Sequence, residues 1–184
     1  MNLGVFVTLS GLFVSAALGQ QGKAPYESSP DTRKPAGEDR AFVIRMIQDG
    51  MNKIEISKLA SSNSQSGAVR QLAAKLAGDQ SKIESDLRTV AGEKNWDLPA
   101  HITKTDQSEY RRLQALHGAE FDQAYLAFAL DRCHFESNAF KQEAENGRDK
   151  DLRDFAERSR ALIQDNMTSV EGVQKDLTKS ASQP

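Results

Sequence analysis

Apolar residues recur every three to four positions along most of the chain, from about residue 39 to residue 177. This spacing is typical of amphipathic helices, each of which buries one apolar stripe. No stretch alternates apolar and polar residues convincingly, so the pattern predicts no sheet. It predicts an all-α fold of four long helices, over about residues 39–61, 67–91, 105–146 and 149–177.

The connections between these helices predict their arrangement. Short linkers at about residues 61–66 and 146–148 make helices one and two, and helices three and four, antiparallel neighbours. Asp149 is suited to cap the start of the fourth helix. The longer connection over about residues 92–104 fits a ferritin-like four-helix bundle with a crossover between helices two and three. We expect its apolar residues, Trp96 among them, to plug one end of the core.

The amino-terminal segment predicts export. Residues 3–18 are mostly apolar, and Ala17-Leu18-Gly19 precede the polar Gln20, as at a signal peptidase site. A membrane anchor is the alternative, but the run is shorter than the about 20 apolar residues needed to span a bilayer. We therefore expect a signal peptide over residues 1–19 and a periplasmic or extracellular protein without a transmembrane segment after its removal.

Composition defines the remaining segments and restricts the partners. Residues 20–37 hold three of the five prolines, which predicts a disordered lead before a bundle over residues 38–178 and a disordered tail over residues 179–184. With 24 basic and 26 acidic residues interspersed, the chain has no basic footprint for nucleic acid. The single cysteine excludes an intramolecular disulfide and a CxxC redox motif.

Polar residues interrupt the apolar stripes at four positions. Gln80 lies four residues after Leu76, and Asn166 lies three residues after Ile163, so both amides are expected to face inward. Glu55 falls at the edge of the first stripe or inside it, and Cys133 falls on the third. Since buried polar groups need partners, the sequence predicts a cluster of inward polar residues. Its candidates are Glu55, Gln80, Cys133 and Asn166.

Candidate metal ligands are weak. Ferritin-like metalloproteins use inward glutamates and Glu-x-x-His pairs, but the only carboxylate with a histidine three residues later is Asp131, which precedes His134. A metal site would need Glu55, Asp131 and His134 to converge, and neutral amides are poor ligands for transition metals. We therefore expect no metal and no cofactor. Cys133 and His134 are adjacent on a helix and do not face each other, which favours a buried, inert thiol.

Several short strings resemble one known family in order over about 130 residues. The strings are Glu55-Ile-Ser-Lys-Leu-Ala60, Val69-Arg-Gln-Leu-Ala73, Leu76-Ala-Gly-Asp79, Leu98-Pro99, Gly118-Ala-Glu-Phe-Asp-Gln-Ala-Tyr125, and Phe140-Lys-Gln-Glu-Ala144, followed by Asn146-Gly147, Leu152 and Phe155-Ala156. With these strings the chain resembles the exported ferritin-like bacterial proteins called domain of unknown function 4142.

The resemblance implies a signal peptide and a ferritin-like bundle, and it also shows departures. Histidines of the family fall on Gln80, on Cys133 (with His134 one residue out of register) and on Asn166, while Glu55 is kept. The proline usual in the fourth helix is absent. If the family's histidines form a metal or proton-handling site, this chain has lost most of it, and the inward amides are remnants of a polar centre.

Three functions remain open on the sequence alone. The first is a non-catalytic binding or structural module of the cell envelope, which the missing ligands favour. The second is a metal-binding or oxidative-stress protein with a degenerate ferritin-like site. The third is a small-ligand binder that uses the polar centre. No nucleophile elbow, phosphate loop or zinc-protease motif is present, so we expect no enzyme, and the partner is an unidentified protein or small molecule.

Overall fold

The computed structural model describes residues 36–182, which form five α-helices and no strand. The all-α prediction is thereby confirmed. The predicted signal peptide lies outside the described residues, as does most of the predicted lead. The final helix continues through the first residues of the predicted disordered tail. The helices are α1 (Ala36–Asn63), α2 (Gly67–Glu93), α3 (Lys104–Gln114), α4 (Gly118–Asn146) and α5 (Lys150–Ala181).

The third predicted helix is in fact two helices, α3 and α4. The break falls before Gly118, whose φ of 60° is strained for residues with a side chain. Asn63 at the end of α1 stabilises the break, because its amide nitrogen donates to the carbonyl oxygens of Gln114 at 3.0 Å and Leu116 at 2.8 Å. Gln114 is the last residue of α3 and Leu116 follows it, and carbonyl groups at the end of a helix lack partners within the helix. The prediction of one continuous helix was wrong at this point.

Side-chain caps mark the starts of α3 and α5. Thr103 and Asp106 form a reciprocal capping box at α3, which fixes the end of the long connection. The Asp149 carboxylate accepts from the backbone N–H groups of Asp151 and Leu152, so the predicted cap of the last helix is confirmed. In the connection between α2 and α3, Trp96 is half-buried and packs against the core, as predicted.

The four long helices form a closed ring of contacts. α1 packs against α2 and α4, and α5 packs against α4 and α2. α3 lies mainly against α1 and makes fewer contacts with α4. Among the described helices, none is long and apolar enough to cross a membrane. The result is a helical bundle with a short additional helix on one side.

The core consists of two apolar clusters. The Tyr125 cluster contains Ile56, Leu59, Ala60, Val69, Leu72, Ala73, Leu76, Leu113, Phe121, Tyr125, Leu126, Phe128, Ala129, Cys133 and Val170. The Phe140 cluster contains Phe42, Val43, Met46, Ile47, Ile83, Leu87, Ala91, Phe140, Leu152, Phe155, Ala156 and Ile163. Each long helix contributes to both clusters, and buried polar residues separate its two contributions.

Candidate functional site

A buried polar centre lies between the two apolar clusters. On each long helix, one to three buried polar residues lie between the residues of one apolar cluster and those of the other. Because this happens on all four long helices, the bundle has a polar level between its two apolar clusters. The residues at this level are Asp49, Asn52 and Lys53 on α1, Asp79 and Gln80 on α2, Glu136 on α4, and Asn166 on α5.

Lys53 joins three helices at this level. Its Nζ lies 2.5 Å from Oε2 of Glu136 on α4 and donates to Oε1 of Gln80 on α2 at 2.8 Å. Only 6% of the Lys53 side-chain surface and 2% of that of Glu136 are exposed. A buried charge needs a charged partner and hydrogen bonds, and this geometry supplies both.

The surroundings keep Lys53 charged. Burial alone lowers the pKa of Lys53, but the negative charges of Glu136 and Asp49 outweigh burial and raise it above its ordinary value. Burial raises the pKa of the neighbouring Cys133 thiol to about 11, although the positive charge of Lys53 partly offsets this effect. At neutral pH the centre therefore holds an ammonium group beside a protonated thiol.

A second ion pair borders the centre. Nη1 of Arg132 donates to Oδ1 of Asp49 at 3.2 Å, and the same guanidinium contacts Asp131. Burial and then the negative charge of Glu136 raise the pKa of Asp49 to about 7, against the opposing effects of Lys53 and Arg132. Its second oxygen, Oδ2, has no hydrogen-bond partner within residues 36–182.

Gln80 fits against the backbone of α1 because residue 50 is glycine. A Cβ atom added at Gly50 would lie 2.5 Å from Nε2 of Gln80. The Gln80 oxygen is held by Lys53, while its Nε2 has no partner among the described residues. Gly50 thus permits the close approach that brings Gln80 to Lys53.

Asn166 is bound to a different lysine. Its Oδ1 accepts from Nζ of Lys75 at 2.5 Å, and Lys75 also pairs with Asp79 at 3.1 Å and Asp165 at 2.9 Å. Burial alone lowers the pKa of Lys75, but hydrogen bonds to Asp165 and Asp79 give a net rise. The structure therefore buries Gln80 and Asn166, as expected, but attaches them to separate lysines.

Glu55 is not part of this centre. Its side chain is 48% exposed, and its carboxylate accepts from Lys58 at 2.7 Å. The inward side of α1 passes through Lys53 and Ser57, and two residues correspond to about 200° of helix rotation, so Glu55 points outward. The apolar stripe predicted for this helix included Met51, which is only half-buried, and Glu55 was therefore expected at the edge of the stripe or inside it.

The weak metal candidates do not converge. Asp131 and His134 are exposed on α4, and the Asp131 carboxylate pairs with Arg132. Within residues 36–182, no group of three or more histidine, cysteine, aspartate or glutamate residues is placed to hold a metal ion. A metal site built from Glu55, Asp131 and His134 is therefore not supported by their positions.

Lys53, Glu136 and Asp49 were missed by the sequence reasoning. Charged residues on a helix are usually solvated, and none of the three was examined as an inward position. A signal did exist, because Lys53 lies seven residues after Met46 and seven before Ala60, both buried. Seven residues are about two helical turns, so Met46, Lys53 and Ala60 lie on one face of α1.

Two further buried carboxylates accept hydrogen bonds from the short linkers between the helices. Asp122 on α4 accepts from the Ser64 hydroxyl and from the Ser66 backbone N–H in the linker between α1 and α2. Asp39 on α1 accepts from the backbone N–H groups of residues 148 and 149 in the linker between α4 and α5. Both carboxylates are engaged with backbone, which explains their burial without a ligand.

Comparison with known proteins identifies the family. The model of the family described as domain of unknown function (DUF4142) matches residues 24–173. The chain therefore belongs to this family, as the resemblance of its short motifs suggested. Among curated proteins, none matches the chain.

Two solved structures share the fold. A DUF305 fragment from Deinococcus radiodurans aligns with a TM-score of 0.67 at 15% identity, covering 77% of this chain and 96% of that one. A DUF305 protein from Streptomyces coelicolor, described as secreted, aligns with a TM-score of 0.65 at 14% identity, covering 75% and 91%. At these identities the similarity concerns the helical fold alone.

Proposed function

We propose that this chain is an exported, non-catalytic module of the cell envelope that acts by binding or stabilising another molecule. One observation carries the proposal: the ammonium group of Lys53 is buried within the polar centre. Glu136 and Gln80 bind that ammonium directly. The centre is built around a cation that belongs to the protein itself.

The charge of Lys53 opposes a second cation at the same place. A metal ion bound by Glu136 would lie beside the ammonium group, and like charges repel strongly where little water screens them. Gln80 and Cys133 stand where the family resemblance places histidines, and an amide is a poor ligand for transition metals. A protonated thiol must lose its proton to bind one. The polar centre therefore favours a structural role over metal chemistry.

Ferritin-like connectivity is part of the proposal. The four long helices form a ring, and the long connection between α2 and α4 contains α3. If this connection is the ferritin-like crossover, α3 is an addition within it, and the two antiparallel pairs are α1 with α2 and α4 with α5. Pairs joined by short linkers are typical of such bundles.

The proposal of export is based on the sequence, and one protein with a similar fold supports it. The apolar run over residues 3–18 and the small residues before Gln20 are typical of a cleaved signal peptide. The Streptomyces coelicolor protein with a similar fold is described as secreted. Sequencing of the mature amino terminus should begin at or near Gln20, and a retained Met1 on a membrane-embedded protein would contradict export.

Metal analysis of protein purified from its own host tests the non-metal role. Elemental analysis should find transition metal well below one ion per chain, with no change in Glu136→Gln. An exposed-site control, Asp131→Asn, should give the same low value. About one ion per chain that is lost in Glu136→Gln and kept in Asp131→Asn would establish the alternative, a metal-binding protein.

A further inference from the structure

A cleft opens on the surface of the bundle between α1, α3 and α4. It consists of two adjoining cavities of about 600 Å³ and about 220 Å³, which share Thr105, Asp106 and Arg132 as lining residues. The cleft exists because α3 packs mainly along α1 and leaves space towards α4. The larger volume is within the range of small-molecule sites.

Two buried oxygen atoms in the cleft residues have no partner among residues 36–182. They are Oδ2 of Asp49 and Oδ1 of Asn52. The residue Asp49 lines the smaller cavity, and the residue Asn52 lines the larger. Asp49 is 6% exposed and Asn52 is 1% exposed. Both side chains are fixed through their other polar atoms, since Asp49 accepts from Arg132 and Asn52 donates to Asp106 at 3.2 Å.

These two atoms belong to residues that are neighbours on α1. Asp49 and Asn52 are three residues apart on α1, and residues at this spacing are neighbours on a helix. When Asp49 is ionised, both atoms are acceptors that lack a hydrogen-bond donor among residues 36–182. A buried polar atom without a partner costs roughly 1 to 3 kcal/mol, which a donating ligand would recover.

The charges in the cleft favour a cation. Carboxylates at Asp49, Asp106, Glu109 and Asp131 outnumber the guanidinium groups at Arg45, Arg112 and Arg132. Two of the three guanidinium groups are already bound to carboxylates of the cleft, Arg112 to Glu109 and Arg132 to Asp49 and Asp131. Neither of these is available as a free anion-binding group, whereas Oδ2 of Asp49 has no hydrogen-bond partner among residues 36–182.

The wall of the larger cavity is partly apolar. Ala127 and Phe128 on α4 line it beside the charged residues. An apolar wall with a few convergent polar groups is typical of sites for small organic molecules. A bare inorganic cation would leave this wall unused.

We propose that this cleft binds a small organic cation whose ammonium group donates to Oδ2 of Asp49 and Oδ1 of Asn52. The organic part of the ligand packs along Ala127 and Phe128. This assignment rests on the proposed binding role and gives it a site and a ligand class. Asp49 and Asn52 belong to the polar centre and also line the cleft, whereas Lys53, Glu136 and Gln80 keep a structural role.

Calorimetric titration of the protein from its own host tests the assignment with benzylamine as the probe. At pH 8 the amine is cationic, and benzyl alcohol and benzoate serve as its neutral and anionic counterparts. We expect the amine to bind at least about 10-fold more tightly than either counterpart. Equal binding of all three would overturn the assignment.

Substitutions locate the site. Ala127 is exposed, so Ala127→Trp fills the cleft without disturbing the core, and it should weaken amine binding at least about 10-fold. Ala74→Trp, at an exposed position on α2 outside the cleft, should leave binding unchanged. Asp49→Asn should also weaken binding at least about 10-fold, provided that its thermal unfolding shows a folded protein.

Two results would contradict this inference without contradicting the proposed function. Amine binding that persists in Ala127→Trp would overturn this site while leaving a binding module. Absence of amine binding would overturn the ligand class. Neither outcome bears on the metal content of the protein, which tests the proposed function separately.

Discussion

Nζ of Lys53 and Oε2 of Glu136 lie 2.5 Å apart across α1 and α4, at the level where both helices pass from one apolar cluster to the other. This ion pair lets the bundle carry charge in its interior, because each charge compensates the burial of the other. It also orients Gln80 on α2 through the second hydrogen bond of the ammonium group. Several measurable consequences depend on this arrangement.

Removing Lys53 alone should destabilise the fold strongly. In Lys53→Met, Glu136 stays buried without its cation, and breaking a buried pair in this way typically costs about 3 to 5 kcal/mol. Urea denaturation measures the free energy of unfolding. The exposed pair between Lys58 and Glu55 provides the matched control, and Lys58→Met should cost less than about 1 kcal/mol.

Removing both charges should be milder than removing either. The double variant Lys53→Met and Glu136→Met leaves no uncompensated charge, and such replacements of buried pairs are often neutral or stabilising. We expect its free energy of unfolding to exceed that of each single variant. If the two single losses simply add in the double variant, the residues are not coupled and the ion pair does not organise this level of the core.

Gly50→Ala should destabilise the bundle although alanine is the better helix former. The new Cβ would meet Nε2 of Gln80 at 2.5 Å and force the amide away from Lys53. We expect a loss of about 1 to 3 kcal/mol. Gly78→Ala is the control, since nothing lies within 4 Å of its added Cβ, and it should stabilise by about 0.5 to 1 kcal/mol.

A second substitution tests whether the clash with Gln80 causes the loss of stability in Gly50→Ala. In a Gln80→Ala background the clash partner is gone, so Gly50→Ala should become neutral or stabilising in urea denaturation. An equal loss in both backgrounds would show that Gly50 is required for another reason.

Asp49 should make stability depend on pH. Its pKa is raised from an ordinary 3.8 to about 7 in the folded chain, so the folded state binds this proton more tightly than the unfolded state. Its contribution is therefore present at low pH and is lost as pH rises from about 4 to about 7. The charged groups around it are Lys53 on its own helix and Arg132 and Glu136 on α4.

Thermal unfolding of the wild type and Asp49→Asn over this pH range isolates the effect. The stability difference between them should shift in favour of Asp49→Asn as pH rises, because the variant has no carboxyl group to ionise. Parallel pH profiles for the wild type and Asp49→Asn would contradict the burial argument.

Cys133 should react slowly with thiol reagents in the folded protein. The residue is 1% exposed, and burial raises its pKa to about 11, so both access and thiolate content are low. At pH 8.5 we expect reaction with a disulfide reagent about 100-fold slower than in urea, where the thiol has its ordinary pKa. Reaction at the denatured rate without denaturant would show that the thiol is not protected.

Most helix boundaries could be predicted from the sequence. The cap at Asp149 and the termination at Asn146 follow from local rules, and the structure has both. The break before Gly118 was missed because the apolar spacing continues through Leu113 and Leu116. Its cause is tertiary, since Asn63 on another helix accommodates the interrupted carbonyls.

Only part of the polar centre could be predicted from the sequence. Gln80 and Asn166 interrupt clear apolar stripes, so an inward position could be inferred for each. Lys53 was missed because a lysine is ordinarily solvated, although its spacing from the buried Met46 and Ala60 indicates an inward position. Its burial depends on Glu136, which lies 83 residues away in sequence. Local periodicity carries no information about such a pair.

Zinc titration with and without Lys53 tests most directly whether its ammonium group occupies the cation position of the centre. Gln80→His with Cys133→His supplies two imidazoles beside Glu136, and Lys53→Met in the same background removes the internal cation. We predict that the triple variant binds zinc at least about 10-fold more tightly than the double variant. Equally tight binding by the double variant, with Lys53 still present, would contradict the account.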